Sequence, residues 1–169
     1  MIDLGRFEEC VCQRMGNVHE LCAGVLEFAE QGKRVRFQTR SGEEAIAVVL
    51  DGCVFTDGDR RCDGLFLACI GRKKYAVLVE LKGVSDLAHA FEQIAFVRYQ
   101  RTAYREIVEN FRQADPRGRV LEKAVIVSNG MLQKPDRERL EQEYSVRLLT
   151  FFYCEPTSRG PDIREYIGG

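Results

Sequence analysis

An α/β domain around a mixed β-sheet is the fold class this sequence predicts. Three observations predict it: two apolar runs joined by a short Gly-containing connection, a long amphipathic helix directly after them, and a further apolar run beyond that helix. With 169 residues and 45% apolar content, the chain can build one ordinary core and hardly two. A single domain over residues 1–169 is expected, with its core from about 18 to 153 and a peripheral tail, rich in Pro and Gly, over 155–169.

The elements follow in order. From Val18 to Gln31, the residues Leu21, Cys22, Val25, Leu26 and Phe28 recur at helical spacing, and Gln31-Gly32 ends the run. Val35 to Thr39 and Glu44 to Leu50, joined by Arg40-Ser41-Gly42, read as a hairpin feeding the core. Thr56-Asp57-Gly58-Asp59 is a tight-turn sequence that folds Asp51 and Cys53 back toward Cys62 to Leu65. Asp63 to Ile70 and Lys74 to Lys82 are strands, and the short link Gly71-Arg72-Lys73 makes them an antiparallel hairpin. Ser85 is a natural N-cap with Asp86 favourable at the positive helix end, and Leu87, Ala90, Phe91 and Ile94 form the buried stripe of the helix they start. That pattern runs to about Arg112, long enough to predict a break near Arg101-Thr102. Val120 to Val127 is a strand that turns out at Ser128-Asn129-Gly130; a short charged helix from Pro135 to Glu143 then leads to a strand over Val146 to Tyr153.

The chemistry lies in the first strand pair. Asp63 begins one strand and Glu80-Leu81-Lys82 ends its partner, so the antiparallel arrangement sets Asp63 opposite the end of the second strand. The two-residue period sends Glu80 and Lys82 to one face and Leu81 to the other, so Asp63, Glu80 and Lys82 can converge. Charged groups at the end of an apolar hairpin are costly to desolvate, and a hard cation between the carboxylates would offset that cost. Mg²⁺ favours a few carboxylates completed by water and phosphate oxygens, and the Lys82 ammonium could orient such a water or offset charge developing on phosphate. Taken alone, Glu-x-Lys is a common triplet that an ordinary surface ion pair also explains.

The order strand, Asp63, strand, Glu80-Leu81-Lys82, helix with Gln93 resembles the PD-(D/E)XK nuclease superfamily over roughly Val48 to Gly130. With Gly83, His89 and Glu92 in between, the stretch from Glu80 to Gln93 is similar to small stand-alone bacterial members. The resemblance implies a restriction-endonuclease-like core of αβββαβ order and a Mg²⁺- or Mn²⁺-dependent nuclease, a hydrolase of phosphodiester bonds that acts on nucleic acid, with DNA the expected substrate. It also implies residue roles: Asp63 and Glu80 as metal ligands, Lys82 assisting the attacking water, and Gln93 lining the site. Cys62 stands where the motif has proline. The acid usually supplied by the first helix has several candidates, Glu20, Glu27 and Glu30, with Glu27 placed beside the apolar stripe; Asp51 is another, equally readable as a turn cap. Two function classes therefore stand, a metal-dependent nuclease and a non-catalytic nucleic-acid- or protein-binding module that keeps the nuclease fold.

Arg98, Arg101, Arg105 and Arg112 fall near one helix face with Tyr99 and Tyr104, a pattern that suits phosphates and unpaired bases but equally a solvated face balanced by Glu106 and Glu109. His89 reads as a packing or surface histidine or as a substrate contact. The formal net charge of -1 excludes a uniformly basic coat, so nucleic-acid affinity must come from local patches. Cutting both strands of a duplex with one site per chain would favour a homodimer. No apolar run reaches the length of a membrane span and no signal-peptide core opens the chain, so no membrane partner and a cytoplasmic location are expected. Seven cysteines in such a setting read as reduced, buried thiols. The lesser alternatives are a metal or cluster site from Cys10, Cys12 and Cys22 with Cys154, and a facing pair of Cys53 and Cys62.

Overall fold

The protein is described by a computed structural model over residues 2–12, 19–115 and 118–168. Gln31 and Gly32 both take positive φ, 47° and 78°, between the paired residues Glu30 and Lys33. This is the backbone of a tight hairpin turn, so the pair that was expected to end a helix reverses a strand instead. The expected helix does not form among the described residues, and its start at Val18 lies outside them. In its place stand β1 (Cys22–Gly24), β2 (Glu27–Glu30) and β3 (Lys33–Arg36), a three-stranded antiparallel sheet. The expected hairpin of Val35 to Thr39 with Glu44 to Leu50 is likewise replaced: β3 pairs with β2, and β4 (Glu44–Val49) joins the larger sheet.

That sheet has five strands in the order β4, β5 (Gly64–Ile70), β6 (Lys73–Lys82), β7 (Val120–Ser128) and β8 (Thr150–Tyr153). The first three run antiparallel, while β6, β7 and β8 run parallel. Between β6 and β7 lie α1 (Leu87–Gln100) and α2 (Thr102–Gln113), and α3 (Lys134–Tyr144) precedes β8. The result is a mixed α/β architecture with two sheets. β5 and β6 are apolar on both faces because both are covered. One face packs Leu65, Leu67 and Leu78 against Phe91, Ile94 and Phe111 of the helices; the other packs Phe66, Val77 and Val79 against Phe28 and Val35 of the small sheet.

The expected break in the long helix falls at Arg101, which is extended at φ -89°, ψ 112°. Its buried guanidinium forks onto both carboxylate oxygens of Asp57 at 2.9 and 3.0 Å and lies 4.0 Å from the centre of the Phe55 ring. At the other end of α1 the cap is Asp86 rather than Ser85, because Val84–Asp86 forms a 3-10 turn.

Two further expectations are corrected. The tail is not peripheral, since Ile163 and Ile167 enter the core and Arg164 holds Glu43 through a shielded ion pair at 2.6 Å. Nor are all the cysteines reduced: disulfides join Cys10 to Cys53 and Cys12 to Cys22, leaving Cys62, Cys69 and Cys154 as thiols. Neither the cluster of Cys10, Cys12 and Cys22 with Cys154 nor the Cys53 and Cys62 pair is therefore formed. Among the described residues, no helix is long and apolar enough to cross a membrane.

Candidate functional site

Register assembles the site. The turn Gly71-Arg72, with Gly71 at φ 60°, pairs Ile70 with Lys73, and the ladder continues to Gly64 opposite Val79. Asp63, one residue before β5, therefore lies beside Glu80, and its Oδ2 accepts the Leu81 backbone N–H at 2.7 Å. Glu80 is only 3% exposed and Asp63 8%. The two carboxyl groups are close enough for each to influence the other's titration. Burial, then the neighbouring Asp63, pushes the Glu80 carboxyl well above the usual carboxylate range, and burial also raises that of Asp63. Glu80 Oε2 is buried with no hydrogen-bond partner.

Lys82 shares the Glu80 face of β6 by the two-residue period, and this is the face covered by α1. Its Nζ donates to Gln93 Oε1 at 3.0 Å, and Gln93 Nε2 donates to the Arg61 carbonyl at 2.9 Å. Gln93 thus ties the ammonium to the loop that delivers Asp63. Asp63, Glu80, Lys82 and Gln93 are all brought to one sheet corner.

The strand period also sorts the candidate acids. On β2, Glu30 shares the face of Phe28, whose ring packs 4.7 Å from that of Phe66, so Glu30 is directed toward the large sheet. Glu30 is itself exposed at the strand end, and partial desolvation there, then Asp63, raises its carboxyl. Glu27 faces the other way and pairs with Arg34 at 3.2 Å, so the acid ranked first on helical spacing is the one turned from the site. Glu20, Glu30, Asp51 and Asp63 line a cleft of about 310 Å³ with His19 and Leu21. Asp51 also pairs with Arg61 at 2.7 Å. The clue available in sequence was Gln31-Gly32 read as a hairpin turn, which makes Glu30 rather than Glu27 the partner of Phe28.

A close approach seats the small sheet. A Cβ on Gly64 would fall 2.6 Å from two carbons of the Phe28 ring, so only glycine lets β2 settle beside Asp63.

The donor set suits a hard cation: two buried carboxylates, one oxygen without a partner, and an acid-lined cleft alongside. Among the described residues, no group of three or more His, Cys, Asp or Glu side chains is placed to hold an ion by itself. Such a cation would take Asp63 and Glu80 and complete its shell with water or phosphate oxygens, the coordination Mg²⁺ prefers.

The arginine stripe is not assembled. Arg101 is buried on Asp57, Arg105 donates to the Tyr99 carbonyl, Arg112 pairs with Glu109, and Arg98 lies over the Tyr99 ring. The break at Arg101 takes α1 and α2 out of a common face. His89 accepts or donates at Glu92 over 3.2 Å, and Glu92 pairs with Arg60 at 2.8 Å.

No protein-family model, no curated protein and no solved structure matches this chain. What the site can do is therefore argued from its own side chains.

Proposed function

We propose that the protein is a metal-dependent phosphodiesterase acting on nucleic acid, with DNA the expected substrate, on a restriction-endonuclease-like core. The observation that carries this reading is the buried Asp63–Glu80 pair with its unpartnered oxygen, set beside a lysine held on the same sheet face. The order of three antiparallel strands β4 to β6, then α1, then β7 parallel to β6 supports it; the small sheet stands where that core would have its first helix.

Asp63 and Glu80 would hold Mg²⁺ or Mn²⁺, which when bound polarises a phosphodiester and acidifies water. Lys82 orients the attacking water and offsets negative charge on phosphorus oxygens. Gln93 fixes the ammonium, and the apolar walls of β5 and β6 exclude bulk water. A homodimer would supply the second site for a duplex. A cytoplasmic location would require both disulfides to be reversible.

Purified Glu80→Gln and Lys82→Ala proteins should lose Mg²⁺-dependent cleavage of plasmid and oligonucleotide DNA while keeping a native circular-dichroism spectrum. Full activity in either defeats the assignment. The second reading, a binding module on the same fold, draws on the absence, among the described residues, of a third His, Cys, Asp or Glu placed with the pair to hold an ion. Mn²⁺ titration separates the two, because a binding module need not take up the ion at Asp63 and Glu80.

A further inference from the structure

The parallel ladder continues the site sideways. Lys82 pairs with Ser128 and Ser128 with Tyr153, so the three residues form one row across β6, β7 and β8. In parallel strands in register they share a face, the one on which Leu78, Ile126 and Phe151 pack toward the helices. Two strand spacings put the Tyr153 backbone about 10 Å from that of Lys82.

Just past these strand ends the surface turns apolar. Val84 is 62% exposed, Met131 66% and Tyr153 50%. The loops after β6 and β7 are in close contact, since a Cβ on Gly130 would come 2.2 Å from the Val84 side chain. Val84, Met131 and Tyr153 thus form a rim past the strand ends, over the buried Ser128 and beside the Lys82 corner.

The rim opens into a groove of about 540 Å³ between α3 and the edge strand β8, lined by Met131, Lys134, Arg137, Arg147, Phe151 and Tyr153, with Glu138 and Glu141 on the helix side. The acids are largely engaged. Glu141 accepts the Leu148 N–H at 2.7 Å and lies 3.7 Å from Arg137, and Glu138 pairs with Lys134 at 3.9 Å. Three cations against two carboxylates leave the groove positive in a chain of net charge -1, with Arg147 exposed. The exposed Tyr153 ring beside basic side chains suits an unstacked base on a phosphate backbone.

We propose that the groove between α3 and β8 binds single-stranded nucleic acid and feeds it over the exposed rim of Met131 and Val84, above the buried Ser128, to the Asp63–Glu80 pair. The proposal rests on the phosphodiesterase reading of that pair and names its substrate class: a strand with unpaired bases, such as an overhang or a flap. Tyr153 stacks a base, and Arg147 and Lys134 take flanking phosphates.

Fluorescence anisotropy with a labelled oligothymidylate and a blunt duplex of equal length, in EDTA, tests binding without any metal-dependent step. The parent protein should bind the single strand more tightly than the duplex, and Tyr153→Ala and Arg147→Glu should each weaken that binding about tenfold. Glu80→Gln should leave it intact, so failure of the nuclease reading is seen in cleavage while the groove is judged by binding alone. Unchanged single-strand affinity in both groove variants overturns the proposal. So does a concentration-dependent dimer that both variants dissociate without any oligonucleotide affinity in the parent, which would assign the β8 edge to a second copy. Thermal melts of Tyr153→Ala and Arg147→Glu at the parent value establish that both half-exposed positions report on the groove and not on folding.

Discussion

Replacing Glu80 with glutamine should make the protein more stable and inactive at once. The side chain is 3% exposed, one of its oxygens has no partner, and its carboxyl is pushed well above the usual range. Glutamine keeps the shape, removes the charge, and offers an amide N–H to Asp63. An unsatisfied buried polar atom costs about 1–3 kcal/mol and a charged one more, so a gain of about 2 kcal/mol is expected. For a domain of this size that is a rise in Tm of about 4–8 °C. Because the folded pKa is raised, the parent holds this increment of stability below the ordinary carboxylate value of 4.5 and loses it as pH rises through the raised value. The gap between variant and parent therefore opens on the alkaline side and closes toward pH 4.5. Mg²⁺ or Mn²⁺ at a hundred times its Kd should restore about 2.7 kcal/mol to the parent and nothing to the variant. Differential scanning fluorimetry across pH 4 to 9, with and without the cation, reads all of this. A variant less stable than the parent at pH 8, or one that gains as much from the cation, refutes the reasoning.

Three other outcomes are expected. The Glu43–Arg164 pair holds the Glu43 carboxyl down at about 2, so its contribution is present above 4.5 and lost as pH falls toward 2; Glu43→Gln should cost about 3 kcal/mol at neutral pH in urea unfolding and flatten that acid limb. Gly64→Ala drives a methyl into the Phe28 ring and should cost about 1–3 kcal/mol, with cleavage falling further than stability because Glu30 moves with β2. Cys10→Ser with Cys53→Ser opens a crosslink between residues 43 apart and should lower stability by about 2–4 kcal/mol in urea unfolding, and dithiothreitol should then cost the variant less than the parent because only the Cys12–Cys22 bridge is left to reduce.

The strand pair that holds the site was legible because its signals agreed: apolar runs of strand length, a Gly-containing turn between them, and an antiparallel pairing that sets Asp63 opposite the end of the second strand; the register itself, with Lys73 already paired to Ile70, came from the two-residue turn. The interruption at Arg101 was legible from length, since few globular helices run unbroken from Leu87 to Arg112. The segment from Leu21 to Gln31 was misread because its short apolar run fits both periods. Val25 and Leu26, counted in a helical stripe, form the turn between β1 and β2, and of that stripe Phe28 is the residue fully buried in the core. Glu30 was lost in the ranking with it. The disulfides escaped because they join residues that only the tertiary fold brings together, and an odd number of cysteines hid the two pairs among them. The tail was misjudged because Pro and Gly suggested exposure, whereas Ile163 and Ile167 are anchors whose partners lie far away in sequence.

Arg101 carries a mechanical consequence. Through Asp57 it pins the middle of the excursion that runs from β4 to Asp63, and Gln93 pins its far end at Arg61. The helical pair and the acid-bearing strand are thereby stapled at two points, so any tilt of α1 would be felt at Asp63 and Lys82 together. Acid and base are geared to one another, and a strand settling on the helices would reset both in a single stroke.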